Sequence, residues 1–362
     1  MKLLTTILTI FGCFLVLIGF YGCEEKESEV VEQFVLRNFR NKLFKVEFMN
    51  NNQGCVVGDH GLILLTHDGG KTWEETDSGT NKSLRSVSFI DENRGWAVGG
   101  SGTVIHTEDG GRTWSPQESG TKDDLVSVEF IDPQKGFVGG AFAIFLITRD
   151  GGKTWEPSSS LSEEEEEIIL PEDIDLEEKM KLLAEQMAGE EEYEETMEVL
   201  NPLINDIFFV DANHGWIACE AGIIWHTNNC GKNWVKQKSG TAEDLFSIHF
   251  RDPNEGWATG LNGTLLHTLD GGLNWKSLDS SAKQSLFGIA LIGSSGYALG
   301  NAGTIIKSLD GGETWEEFII PGIEIYSWMR DIVSIDGKFV AVGGLGTILI
   351  SEDGGKNWIQ IT

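Results

Sequence analysis

Three histidines, His106, His226 and His267, each stand immediately before a threonine that opens a Thr-x-Asp or Thr-x-Asn turn. Imidazoles in register could hold a metal, but these belong to separate copies of a repeated unit. Stacked sheets lie roughly 10 Å apart, too far for ring nitrogens on a non-central strand to share an ion. They read as packing residues, and neither a metal nor another cofactor is expected. The 57 Asp and Glu residues are ample for the paired carboxylates of glycoside cleavage, but no spacing fixes a pair at the separation that chemistry needs. Arginines, whose guanidinium forks suit carboxylates, are few: Arg37, Arg40, Arg85, Arg94, Arg112, Arg149, Arg251 and Arg330, with no cluster along the chain. Cys55, Cys219 and Cys230 are scattered, without the pairing of a disulfide framework or the spacing of a metal motif. A net charge of −30 disfavours nucleic acid as a partner through like-charge repulsion.

The elements that must position such residues are short and glycine-bounded. In 362 residues, Gly at 45 and Trp at 12 against only 7 Pro suit many strands joined by tight turns. One eight-residue stretch recurs seven times: THDGGKTW (66–73), TEDGGRTW (107–114), TRDGGKTW (148–155), TNNCGKNW (227–234), TLDGGLNW (268–275), SLDGGETW (308–315) and SEDGGKNW (351–358). Its tryptophans are spaced 41, 41, 79, 41, 40 and 43 residues apart. A period near 40 is the mark of a four-stranded propeller blade, and the long step is one repeat plus an insertion. In the second unit, 84–90, 95–100, 102–107 and 114–119 read as the four strands, which makes the repeated stretch the turn between strands three and four. There the Ser or Thr hydroxyl and the Asp carboxylate can accept the turn's own amides, and the glycines permit positive φ. The structural residues of these turns are Asp68 with Trp73, Asp109 with Trp114, Asp150 with Trp155, Asn229 with Trp234, Asp270 with Trp275, Asp310 with Trp315, and Asp353 with Trp358.

The S/T-x-D-x-G-x-T-W pattern resembles the Asp-box, or bacterial neuraminidase repeat. With the upstream GWAVGGSGTVIHT and GWATGLNGTLLHT, it resembles the photosystem II assembly and stability factor family of exported seven-bladed propellers. That resemblance implies a binding scaffold that engages a protein partner through a basic, arginine-bearing surface, a cluster this sequence does not display. Sialidases also carry the Asp-box, but FRNK (39–42) is not the FRIP-type signature of their first arginine.

The expected fold is therefore all-β: a seven-bladed propeller of four-stranded antiparallel blades over 43–362, with a short acidic helical insertion, 159–201, between blades three and four. Residues 161–200 hold seventeen acidic and two basic residues, a net of −15. Leu176, Met180, Leu183 and Met187 fall at helical spacing, and a solvated acidic linker stays open as the plainer reading. Lys2 and the apolar run Leu3 to Phe20 read as an export signal over 1–22. Cys23 follows as a lipid attachment site, giving an exported lipoprotein held at the membrane in the periplasm or on the cell surface. A soluble exported form and an uncleaved anchor are the alternatives. Residues 23–42 form an N-terminal segment in which VEQFVLRN (31–38) competes with WIQIT (358–362) to pair at the edge where the ring closes.

Aligned across blades, the second position of strand one is Phe44, Arg85, Val126, Asn205, Phe246, Phe287 and Arg330. It varies between aromatic, basic and small residues while positions four and six stay mostly apolar. This marks a candidate ligand mouth on the face that bears the insertion, with Trp328 beside it; the alternative is that these residues simply fit different loops above them. The reading is a non-enzymatic binding propeller at the cell envelope that aids assembly or stability of a membrane protein complex. The alternative is an Asp-box carbohydrate-binding or glycoside-hydrolase-like protein, which leaves a glycan ligand open.

Overall fold

Each repeat folds on itself. In the second, the strands are Leu84–Phe89, Gly95–Gly99, Thr103–Thr107 and Ser115–Glu118, paired antiparallel in sequence order. The computed structural model describes residues 41–158, 160–161 and 201–361. The expected signal, Cys23, the 31–38 segment and nearly all of the 159–201 insertion lie outside them. Seven such sheets, spanning 43–76, 84–118, 125–157, 204–238, 245–277, 286–317 and 329–361, make a seven-bladed propeller. Among the described residues the only helical pieces are short 3-10 turns between strands two and three.

The repeated turn is held from within. Thr66 Oγ1 accepts from Gly70 N at 2.8 Å and donates to Asp68, whose carboxylate accepts from Thr72 N at 2.9 Å and from the Thr72 hydroxyl at 2.6 Å. The Thr72 hydroxyl and amide hold the Asp68 carboxyl down at about 2. The same pattern recurs around Asp109, Asp150, Asp270, Asp310 and Asp353, and Asn229 accepts similarly from Asn233 N at 3.1 Å. The closing tryptophan folds back onto its turn: Trp114 Nε1 donates to Gly111 O at 2.8 Å, with Trp73, Trp315 and Trp358 alike. Trp114, Trp155, Trp234, Trp315 and Trp358 are buried.

A second set of side chains ties blades together at six of the seven interfaces. Trp96, Trp216 and Trp257 on strand two donate Nε1 to Gly151, Gly271 and Gly312 in the following blade's turn, at 3.1–3.2 Å. Tyr297 does the same with its hydroxyl to Gly355 at 2.7 Å. Lys338 supplies the link from blade seven to blade one, onto Gly69 O at 3.0 Å, and Lys135 the link from three to four, onto Cys230 O. The indole of Trp96 stacks on Phe130 of the next blade at 3.5 Å, and Trp216 on Phe250 at 3.5 Å. Seven hydrophobic clusters among the described residues each span one blade interface. Truncating one of these tryptophans costs about 3–5 kcal/mol.

The ring closes without strand exchange among the described residues. Blade seven has its own fourth strand, Ile359–Ile361, paired to Ile348–Ser351. Leu43, Val46 and Val56 of blade one pack on Val340, Val342, Ile348 and Ile350 of blade seven.

Blade three departs at the turn between strands two and three. Elsewhere the third residue of that turn is Gly at φ +67° to +75°, and a Cβ at Gly102 would lie 2.1 Å from Thr121 O in the link to the next blade. In blade three that link carries the insertion, and the residue is Ala143, at φ 56°, whose N–H bonds Pro202 O at 3.1 Å. Gly102→Ala should therefore cost at least about 2 kcal/mol through left-handed strain and the carbonyl contact, whereas Ala143→Gly should shift stability by less than about 1 kcal/mol. Urea unfolding midpoints check the contrast, and equal costs at the two sites would break it.

Candidate functional site

Strand one of every blade carries a β-bulge at its second position. In blade two, Leu84 faces Gly99 and Ser86 faces Val98, so Arg85 has no partner in the ladder. The same shift occurs at Phe44, Val126, Asn205, Phe246, Phe287 and Arg330. A bulge bends the strand and re-aims the extra side chain. All seven of these residues line one cavity of about 30 Å³ at the channel mouth, together with Lys45, Ser86, Ser127, Asp206, Ser247 and Asp331.

The wall of this cavity is aromatic and cationic over blades five, six, seven, one and two. Phe246 meets Phe287 edge to face at 5.2 Å, and the Arg330 guanidinium lies over Phe287 at 5.3 Å. Trp328 stacks on Phe44 with centroids 5.9 Å apart and 7° between planes, and the Arg85 guanidinium lies over Phe44 at 4.5 Å. The structure thus brings together two arginines that are far apart in the sequence. Asn205 is spoken for, since its amide donates to Leu245 O at 2.8 Å. Arg94, Arg149 and Arg251 are instead paired with Asp91, Glu156 and Glu255.

Below the mouth the polar residues join the blades. Asp331 accepts from Val46 N at 2.9 Å and pairs with Lys45 at 3.4 Å. Asp206 accepts from Ile248 N, Ser127 from Ile207 N and Ser86 from Val128 N, at 3.0–3.2 Å. Two positions deeper, Glu47 accepts from Phe89 N at 3.0 Å and Ser88 from Phe130 N at 3.1 Å. Sequence reasoning missed these residues as a set. The available signal was a charged residue at alternate positions of an otherwise apolar strand: Lys45, Glu47, Glu129, Asp206 and Asp331.

Enclosure perturbs the lumen groups, although they keep contact with the channel; the Lys45 side chain is 31% exposed. Burial pushes the Glu47 carboxyl up to about 8. Burial also raises Asp206, against the pull of Lys45, and raises Glu129, with Glu47 adding to the effect. Burial opposes the charge on Lys45, but Asp331, Asp206, Glu129 and Glu47 outweigh it and hold the ammonium above its ordinary range. His249 is pushed down to about 4 by burial, then by Arg251 and Lys45.

The three repeat histidines lie flat on strand-two tryptophans, His106 on Trp96, His226 on Trp216 and His267 on Trp257, at 4.7–4.8 Å. Among the described residues no three His, Cys, Asp or Glu side chains are grouped to hold a metal.

These shifts set a pH dependence. Glu47 favours its neutral form in the fold, so its contribution is complete below its ordinary value near 4.5 and is lost as pH rises through about 8. His249 is neutral in the fold, so stability is lost as pH falls from 6.5 through about 4. Glu47→Gln should therefore flatten the loss of stability between pH 5 and 8 relative to the unsubstituted chain. Denaturant midpoints across that range measure it, and an unchanged slope would mean that Glu47 is ionised in the fold.

The profile of the family described as photosynthesis system II assembly factor YCF48 matches residues 24–122, 112–188 and 185–288. Among solved structures, YCF48 bound to a D1 peptide superposes with a TM-score of 0.64 at 18% identity, covering 86% of this chain and 91% of that one. YCF48 from Cyanidioschyzon merolae gives 0.64 at 18% identity, with 88% and 97% covered. A GH74 xyloglucanase from Xanthomonas campestris gives 0.65 at 11% identity, covering 88% of this chain and 54% of that one. At such identities the structural likenesses speak to the fold. No curated protein matches the chain.

Proposed function

Because the chain belongs to the photosynthesis system II assembly factor YCF48 family, we propose that it is a non-enzymatic scaffold that holds a segment of a membrane or envelope protein while a complex assembles. The observation that carries this reading is the mouth: seven bulged side chains converge on one cavity whose wall is aromatic and cationic. Large rigid side chains and arginine are the residue types that dominate protein interfaces. The structural relative that holds a D1 peptide supports a protein segment as the ligand class. Export behind residues 1–22 and lipid attachment at Cys23 would hold the propeller at the membrane surface, beside such a partner.

The second reading, carbohydrate binding or cleavage on an Asp-box propeller, draws on Asp206 and Asp331 in the cavity and on the glycoside hydrolase neighbour. Against it, both carboxylates already accept backbone N–H groups of the next blade, and Asp331 is paired with Lys45. Asp331 thereby has both oxygens engaged, which leaves Asp206 without a free carboxylate partner among the residues that line the cavity.

Capture from solubilised native membranes tests the scaffold reading. Phe246→Ala with Phe287→Ala should lower retention of a membrane-complex subunit at least tenfold, the loss of about 1.4 kcal/mol or more expected of interface anchors. Cys23→Ser should release the protein from the membrane fraction without changing that retention. Undiminished capture by the double variant would move the contact away from the mouth, and xyloglucan binding that is lost on Asp206→Asn would favour the second reading.

A further inference from the structure

Links such as 77–83, 119–124 and 239–244 pass directly from one blade to the next, whereas the link from blade six to blade seven is longer, 318–328. Its sequence, FIIPGIEIYSW, is largely apolar. Ile320 is buried, and Phe318, Ile323 and Ile325 pack on the cluster between the two blades. The residues that alternate with them point outward. Ile319 is 79% exposed and Tyr326 is 80% exposed, with Glu324 exposed between them. A tight turn fixes this arrangement: Pro321 restricts φ at its second position, Gly322 takes φ +78° at its third, and Ile323 N donates to Ile320 O at 3.2 Å.

The exposed surface continues onto blade seven. Leu345 there is 48% exposed and holds φ 58°, a conformation that bulky side chains seldom take. Its turn abuts the end of the link, since a Cβ on Gly344 would meet Ser327 Oγ at 2.2 Å. Single exposed apolar residues are ordinary in soluble proteins. Several held together on a braced loop mark an interaction surface.

Two observations select a lipid surface as what this loop meets. The loop lies at the mouth end of the ring, where Trp328 stacks on Phe44, and the chain enters blade one at that same end, Phe44 being the second residue of its first strand. Asn41 follows Cys23 by 18 residues, a length that spans no more than about 65 Å however it runs. A tether of that reach keeps the propeller at high effective concentration beside a bilayer, so that even a weak contact is populated. The second observation is the loop's chemistry, aliphatic side chains with a tyrosine beside them, which suits the boundary between headgroups and acyl chains. Residues 308–329 hold five acidic side chains and no Lys or Arg, so the fitting headgroup is zwitterionic rather than anionic.

Resting on the reading that Cys23 holds the chain at a membrane, we propose that the link 318–328 is a lipid-contact loop. Ile319, Tyr326 and the neighbouring Leu345 enter the headgroup region of zwitterionic phospholipid and turn the mouth end of the propeller toward the bilayer. A side chain half removed from water adds up to about tenfold to partition. The loop therefore sets orientation and leaves attachment to Cys23. The rival contact is the opposite face, where Leu269, Leu273 and Leu309 are exposed in their Asp-box turns.

The full chain, purified from membranes with its anchor, is reconstituted into phosphatidylcholine vesicles whose acyl chains are either plain or brominated near the headgroup. Flotation reports attachment, and bromine quenches the emission of indoles that approach it. The expected result is that the chain floats and that its Trp emission is lower in brominated vesicles, with Trp328→Phe removing most of that difference. Ile319→Ser with Tyr326→Ser should shrink the difference at least about threefold at an unchanged unfolding midpoint, because both side chains are exposed. Leu269→Ser with Leu273→Ser should leave it intact. Equal emission in the two kinds of vesicle, a difference that survives the loop substitutions, or one that depends on Leu269 and Leu273 overturns the inference. So does a loop variant that keeps its quenching but loses capture of the membrane partner, which would make the loop a protein contact. A chain that does not float overturns the anchor reading together with the inference, whereas one that floats without quenching overturns the inference alone.

Discussion

The innermost strands of the ring meet without forming a continuous backbone ladder, so their lumen-side N–H groups need partners from elsewhere. Side chains of the preceding blade supply them: Ser86 to Val128, Ser127 to Ile207, Asp206 to Ile248 and Asp331 to Val46, with Glu47 and Ser88 doing the same one layer deeper. This requirement divides strand one by role. Position three is polar in every blade but the sixth, where it is Gly288, and closes the ring at four interfaces, while position four is apolar in all seven and packs between blades. Position two, bulged out of the ladder, is bound by neither demand outside blade four, where Asn205 donates to Leu245 O of the next blade. It is therefore the place where the chain can vary residue type without weakening the ring.

Rigidity at the mouth follows from the outer staples as much as from the inner ones. Strand-two donors reach the next blade's turn from Trp96, Trp216, Trp257 and Tyr297. Two lysines take over at the interfaces where strand two offers a phenylalanine, Phe137 in blade three and Phe339 in blade seven. Because the turn that accepts these bonds is locked by its own Thr and Asp, each blade is fixed at its rim as well as at its centre. Phe44, Phe287 and the guanidiniums stacked on them thus sit on a frame with little freedom to rearrange. In a binding protein that frame spares the entropy of ordering the site when the ligand arrives.

The fold was legible because its signal is repeated. TEDGGRTW and its copies announce both the period and the turn, and GWAVG followed by TVIHT reads as two strands on pattern alone. The seven residues of the mouth were reached by the same alignment, since each occupies one register of strand one. What could not be read was their pairing in space. Nothing in the alignment says that the Arg85 guanidinium lies over Phe44 of blade one and that of Arg330 over Phe287 of blade six. The bulge at position two was also hidden, because it depends on backbone register rather than on any residue type common to Phe44, Arg85 and Asn205. The charged residues Glu47, Glu129 and Asp206 carry no motif of their own in the sequence, and only ring closure brings them near one another in the lumen.

The account rests on a division of labour between adjacent positions of one strand, so the most direct measurement compares them. Alanine would be placed singly at Arg85, Phe246, Phe287 and Arg330, and singly at Ser86, Ser127, Asp206 and Asp331, and each variant would be measured for unfolding free energy and for retention of the membrane partner. The account predicts that the first group loses binding at near-constant stability, and that the second loses about 1–3 kcal/mol of stability for each orphaned N–H. Binding that tracks position three, or stability that tracks position two, would contradict it.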